Sequence, residues 1–264
     1  MKHYDTGEGT TMTSDSNSEN KGFVQVRNLT KSFGDLLVLD DISFDVQKGE
    51  FLCIVGPTGC GKTTFLNCLT KLYSISSGEI TIDGEPIDLK TQNISYIFQE
   101  NSTMPWLTVE ENIRFGLDIK KVPKNIANQR VSQMLDLVNL RNFASYYPKQ
   151  LSMSMLQKVG IARAFATQPS LLLMDEPYSQ LDLNLRCKLE DELIALWERE
   201  RTTVIFITHN IEEAVYLGER ILVLTNKPTK IKKEIMNHLE RPRKISDPEF
   251  VDLRNEVTTL IKWW

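Results

Sequence analysis

No run of about 20 apolar residues, the length a bilayer-crossing helix needs, occurs in these 264 residues. Apolar stretches such as 51–55 and 171–174 are short, so the chain is not expected to span a membrane. Its first residues carry Asp5, Glu8, Asp15 and Glu19 and no apolar stretch of the secretory kind. A basic surplus is also missing: 31 Lys and Arg stand against 35 Asp and Glu, a formal charge of −4. Proteins that bind nucleic acid through its phosphates usually show such a surplus or a basic stripe, so nucleic acid is not an expected partner. Cysteine is scarce. Cys53, Cys60, Cys68 and Cys187 form no C-x-x-C pair and no metal-ligand spacing. They are expected to be reduced thiols of a cytoplasmic protein, with Cys53 and Cys68 in the core.

What is present is an ordinary globular balance, 41% hydrophobic and 25% charged. The length suits one large domain or two small ones at about 150 residues each. Residues 1–21 are rich in Ser, Thr, Asn, Asp and Gly and read as a disordered leader. From Phe23 onward, short strands are expected at 23–26, 38–46 and 51–55. Ile80 and Ile82 alternate with polar residues and meet Asp83-Gly84, a hairpin signal. Between about 100 and 166 the spacing turns helical, with Val109, Ile113 and Leu117 on one face and Val131, Leu135 and Val138 on another. Wholly apolar runs return at 171–174, 204–207 and 221–224, as buried parallel strands do. The expected organisation is one α/β domain over 22–226, interrupted by a helical insertion, followed by a charged, solvated surface tail over 227–264. Ligands of such sheets gather at the carboxyl ends of the strands.

Three segments carry chemistry to that edge. Gly56-Pro57-Thr58-Gly59-Cys60-Gly61-Lys62-Thr63 fits G-x-x-x-x-G-K-[ST] between a predicted strand and a predicted helix. Its glycines let backbone N–H groups face phosphate oxygens, and the helix N-terminus adds positive partial charge. Lys62 is expected on the β- and γ-phosphates and Thr63 on Mg²⁺, with Thr64 adjoining the site. The apolar run 171–174 ends in Asp175 and Glu176; the first suits the Mg²⁺ shell and the second a base for the attacking water. His209 ends a third apolar strand, from where it can reach the γ-phosphate and orient Glu176. The expected ligands are therefore a nucleoside triphosphate and Mg²⁺.

The phosphate loop, Gln99, Leu151-Ser152, Asp175-Glu176, Ser179-Gln180-Leu181-Asp182 and His209 stand in an order that resembles ABC transporter ATPases over roughly residues 23–224. The resemblance implies ATP as the nucleotide, and a P-loop NTPase (RecA-like) α/β core with an antiparallel β subdomain and an inserted α-helical signature subdomain. It implies that Gln99 senses Mg²⁺ and water and couples to membrane subunits, that Asp182 contacts an opposite subunit, and that Phe33 stacks on adenine. It also implies a second nucleotide-binding subunit, two transmembrane permeases and a periplasmic or extracellular substrate-binding protein, with this chain on the cytoplasmic face of the membrane. Residues 98–100, 105–109 and 246–250 resemble importers of the nitrate, sulfonate and taurine type. A regulatory ATP-binding subunit and a soluble non-transport ABC ATPase are the alternatives.

One motif departs from that family. Where Leu-Ser-Gly-Gly is the pattern, this chain has Leu151-Ser152-Met153-Ser154-Met155. Ser152 and Ser154 keep hydroxyls for a partner's γ-phosphate, but the freedom of two glycines is gone. Slowed or asymmetric hydrolysis is the expectation. Cys60, beside the phosphates at a helix N-terminus, is expected to have a lowered thiol pKa and to react with thiol reagents unless ATP protects it.

Overall fold

The computed structural model describes residues 22–179 and 181–261. The expected leader, residues 1–21, and Gln180 of the Ser179–Asp182 motif lie outside the described residues. The chain opens with β1 (Val24–Phe33) and β2 (Leu36–Val46), whose buried and more exposed residues largely alternate, the period a half-covered strand imposes. After β3 (Phe51–Val55) and helix α1 (Lys62–Leu69) come β4 (Ser77–Ile82) and β5 (Glu85–Pro86). Asp83 and Gly84 between them have φ of 55° and 79°, as the tightest hairpin turn requires. β2, β1, β4 and β5 form one antiparallel sheet in that order.

A second sheet is built from β3 with β6 (Ile94–Ile97), β7 (Leu171–Asp175), β8 (Thr203–Thr208) and β9 (Arg220–Leu224), all parallel in the order β9-β3-β8-β7-β6. Every residue of β3, β7, β8 and β9 is buried, because both faces of the sheet are covered. Successive residues go to opposite layers. Phe51, Cys53 and Val55 enter the core under the helices, while Leu52 and Ile54 enter the core shared with α1 and the antiparallel sheet.

Between β6 and β7 the chain inserts α2 (Val109–Ile119), α3 (Lys124–Leu137) and α4 (Met153–Ala166). A Thr108–Glu111 capping box starts α2. The fully buried Asn112 ties down the loop before it, donating to the carbonyls of Met104, Leu107 and Thr108. Helix α5 (Leu183–Glu200) links β7 to β8, and α6 (Ile211–Leu217) links β8 to β9.

Residues 227–261 are not the solvated tail expected from their charges. They form β10 (Ile231–Met236), antiparallel to β9 with Ile235 opposite Ile221, and α7 (Pro248–Ile261), which buries Phe250 and Val257. Thr229, fully buried, donates its hydroxyl to the carbonyl of Cys60. Arg241 and Arg243 donate to carbonyls of residues 215–218 at the end of α6, where the helix dipole favours cations. The charged side chains concealed the few apolar ones that dock. No helix of the described residues is long and apolar enough to cross a membrane.

Candidate active site

The parallel strands end together, and their ends define the site. After β3, Gly56 to Gly61 curl into a loop that closes onto α1. Gly61 caps the helix at φ 115° and supplies no side-chain hydrogen bond to it, which suits the start of α1 to an anion. A side chain there would be strained by that φ, and its Cβ would lie 2.9 Å from Val38 Cγ1. Gly59, at φ 76°, opens to empty space. Lys62 is buried, and its Nζ folds back over the loop, donating to the carbonyls of Gly56 and Pro57 at 3.1 and 3.2 Å. Thr58 and Thr63 are exposed and Pro57 and Thr64 half-buried around the same turn.

β7 brings Asp175 against the loop. Thr63 Oγ1 donates to Asp175 Oδ1 at 3.2 Å, and the Tyr96 hydroxyl donates to Oδ2 at 3.2 Å. Burial pushes the Asp175 carboxyl up; the hydrogen bonds from Thr63 and Tyr96 oppose this, Glu176 adds to it and Lys62 opposes it. Tyr96 is pushed up by burial and by Asp175. Glu176, one residue beyond the strand, has φ 46°, a left-handed conformation uncommon for a side-chain-bearing residue. It places Oε1 3.5 Å from Lys62 Nζ and Oε2 2.7 Å from His209 Nδ1 at the end of β8. Lys62, Thr63, Asp175, Glu176 and His209 are thus joined contact by contact, although 112 residues separate Thr63 from Asp175. Sequence reasoning missed Tyr96, which lies on β6 beside Leu173 with no motif around it.

The remaining candidates surround this centre. Phe33, at the end of β1, is exposed and meets Tyr73 edge-on at 5.3 Å, with Lys31 Nζ 4.6 Å from its ring centre. Gln99 is exposed and donates to Ser179 Oγ at 3.4 Å. Ser152 caps α4 and pairs with Ser154 Oγ at 3.0 Å. Asp182 caps α5, accepting from the Leu185 N–H at 3.0 Å.

One expectation is corrected here. Cys60 is 2% exposed. Burial pushes its thiol up, against the opposing pull of Lys62, so the helix N-terminus does not make it a reactive thiolate. The altered signature is ordinary helix. Met153 and Ser154 lie in the ordinary first turn of α4 and neither has a positive φ, so the missing glycines leave no backbone strain. What differs is the half-exposed Met153 side chain at the head of the helix.

The donor set fits a Mg²⁺-bound triphosphate. It offers uncapped N–H groups, a lysine over the loop, and a hydroxyl paired with a carboxylate, the hard oxygens that Mg²⁺ takes. Loop, acid pair and histidine on adjoining parallel strands define a P-loop nucleoside triphosphatase. The comparisons narrow that class. The ABC transporter family model matches residues 39–179. Over 228 residues the chain is 42% identical to the aliphatic sulfonates import ATP-binding protein SsuB of Bacillus thuringiensis subsp. konkukian, covering 86% of this chain and 90% of that one. It is 40% identical over 243 residues to an uncharacterized ABC transporter ATP-binding protein of Methanocaldococcus jannaschii, covering 90% and 91%. Among solved structures, a dimeric bacterial ABC transporter cassette superposes with TM-score 0.71 at 30% identity, covering 82% of this chain and 100% of that one. A post-hydrolysis form of an ATP-binding cassette, bound to ADP and Pi, gives TM-score 0.71 at 31% identity. The chain belongs to the ABC transporter family and is an ATP-binding, ATP-hydrolysing subunit.

Proposed function

We propose that this subunit energises the import of a small anion of the sulfonate, taurine or nitrate class. The similarity to the sulfonate import protein supports the cargo. The contact chain from Thr63 through Asp175 and from Lys62 through Glu176 to His209 carries the chemistry.

The loop N–H groups and Lys62 hold the β- and γ-phosphates of ATP, and Phe33 stacks on the adenine. Thr63 and Asp175, with Gln99, would hold Mg²⁺, which when bound would neutralise charge developing on the transferred phosphoryl group. Glu176 takes a proton from the attacking water, oriented by His209. A 2.7 Å hydrogen bond joins the two side chains, an arrangement that needs little reorganisation at the moment of reaction. Ser152, Ser154 and Asp182 face a second nucleotide-binding subunit. Two permeases anchor the pair at the cytoplasmic face of the membrane, and an external binding protein delivers the anion.

The test is the Mg-ATPase rate of the chain with its permeases, beside Glu176→Gln and Met153→Gly/Ser154→Gly. Loss of turnover in Glu176→Gln with ATP binding retained, and faster turnover when the glycines are restored, are the expected results. Negligible turnover unchanged by either variant would instead support a regulatory subunit that completes a partner's site, a reading favoured by the altered signature.

A further inference from the structure

A buried carboxylate stands behind His209 that the chemistry above does not use. Glu213 and Thr208 are 3% and 1% exposed. A carboxylate only accepts, so the Thr208 hydroxyl donates to Glu213 Oε2, at 2.5 Å. That fixes the hydroxyl's free lone pair, which accepts the Asn210 N–H at 2.9 Å. Asn210 in turn caps α6, its Oδ1 accepting from the N–H groups of Glu212 and Glu213 at 2.9 and 3.3 Å. The residues on both sides of His209 are therefore pinned to one hydroxyl whose orientation Glu213 sets.

The same carboxylate faces α5. Arg186 Nε lies 3.6 Å from Glu213 Oε1 and 3.7 Å from Glu190 Oε1, and the Arg186 N–H donates to the carbonyl of Asp182, the cap of that helix. Glu190 is itself buried, and its Oε1 has no hydrogen bond. Two buried acidic side chains sharing one guanidinium are a costly arrangement, of a kind that apolar residues often replace without loss of stability. Contacts run without a break from Asp182 through Arg186, Glu213 and Thr208 to His209 and Glu176.

We propose that Glu213 is a positioning residue for His209, acting through Thr208 and tying the histidine to the helix that Asp182 heads. The inference rests on the role given to His209 above. It makes the cap of α5, proposed to face the second subunit, mechanically continuous with the histidine that orients the base.

The experiment measures kcat and KM for ATP in Glu213→Ala, Glu213→Gln, Thr208→Val and Thr208→Ser, each in the wild-type and the His209→Ala background, with the permeases assembled. Misplacing a reacting group by about 1 Å costs on the order of 10²-fold, so Glu213→Ala and Thr208→Val should lower kcat by roughly 10- to 100-fold with little change in KM. The Gln and Ser variants, which keep the hydrogen bond, should recover most of the rate. In the His209→Ala background neither loss should recur, because the group they act through is gone. An equal loss in both backgrounds, or full turnover in Glu213→Ala and Thr208→Val, would overturn the inference. If His209→Ala alone turns over like wild type, the role of His209 falls and this inference with it. A slow His209→Ala to which Glu213→Ala adds its full loss overturns this inference alone. Where residual rates are too low to compare, imidazole NMR decides. The chain has three histidines, and Glu213→Ala should displace the His209 ring resonances while leaving those of His238 in place; unmoved His209 resonances refute the link.

Discussion

Arg130 joins the far ends of the two helices that Ser152 and Asp182 head. From α3 it donates to the carbonyls of Phe165 and Ala166, in the last turn of α4, at 2.9 and 3.3 Å. Its two terminal nitrogens grip both oxygens of Glu200, the last residue of α5, at 2.9 and 2.7 Å. The two side chains are only 10% and 11% exposed, so water screens this pair weakly. Arg130→Met keeps the volume and removes the charge. It strands a nearly buried carboxylate and two helix-end carbonyls, which costs about 3–5 kcal/mol out of a total stability on the order of 5–15 kcal/mol. For a domain of this size the thermal midpoint should fall by about 6–20 °C. Adding Glu200→Met should restore much of it, since an apolar pair of similar volume leaves no charge unpaired. Thermal and urea unfolding of the two single variants and the double variant give the coupling directly. A loss below about 1 kcal/mol for Arg130→Met, the range of an exposed pair, would refute the reasoning.

Thiol labelling offers a second check. Cys53, Cys60 and Cys68 are buried and Cys187 is half-buried. In the folded protein a thiol reagent should therefore modify Cys187 first, with the other three appearing only on unfolding; rapid, ATP-protected modification of Cys60 would contradict this. Glu190 supplies a pH dependence. Burial, reinforced by Glu213, opposed by Arg186 and reinforced again by Glu212 and Asp191, pushes its carboxyl from 4.5 up to about 8. The folded chain thus holds a proton that the unfolded chain releases. The resulting stability is fully present below pH 4.5 and is lost as the pH rises through about 8. Glu190→Gln should gain in thermal midpoint on the wild type as the pH rises from ~6 to ~9; a constant difference would show that Glu190 does not hold the proton.

Local sequence carried the nucleotide site because its parts are local. The Gly56–Thr63 loop needs positive φ and an uncapped helix start within eight residues, and only glycines and a following helix former provide both. Runs such as 171–174 announced buried parallel strands because both of their faces are covered. The order of the segments along the chain then implied the family. Tertiary structure decided what depends on residues far apart. Tyr96 reaches Asp175 only because β6 pairs with β7. The left-handed turn at Glu176, which aims it at both Lys62 and His209, leaves no mark in residue type. Glu213 meets Arg186 because α5 and α6 pack together after a strand has intervened. Residues 227–261 look polar when averaged along the chain, yet β10 completes the sheet and α7 docks through Phe250 and Val257. A strand at the sheet edge and a helix with one narrow apolar stripe bury too few side chains to stand out in composition. The fold supplies the partner surface that gives those few residues their meaning.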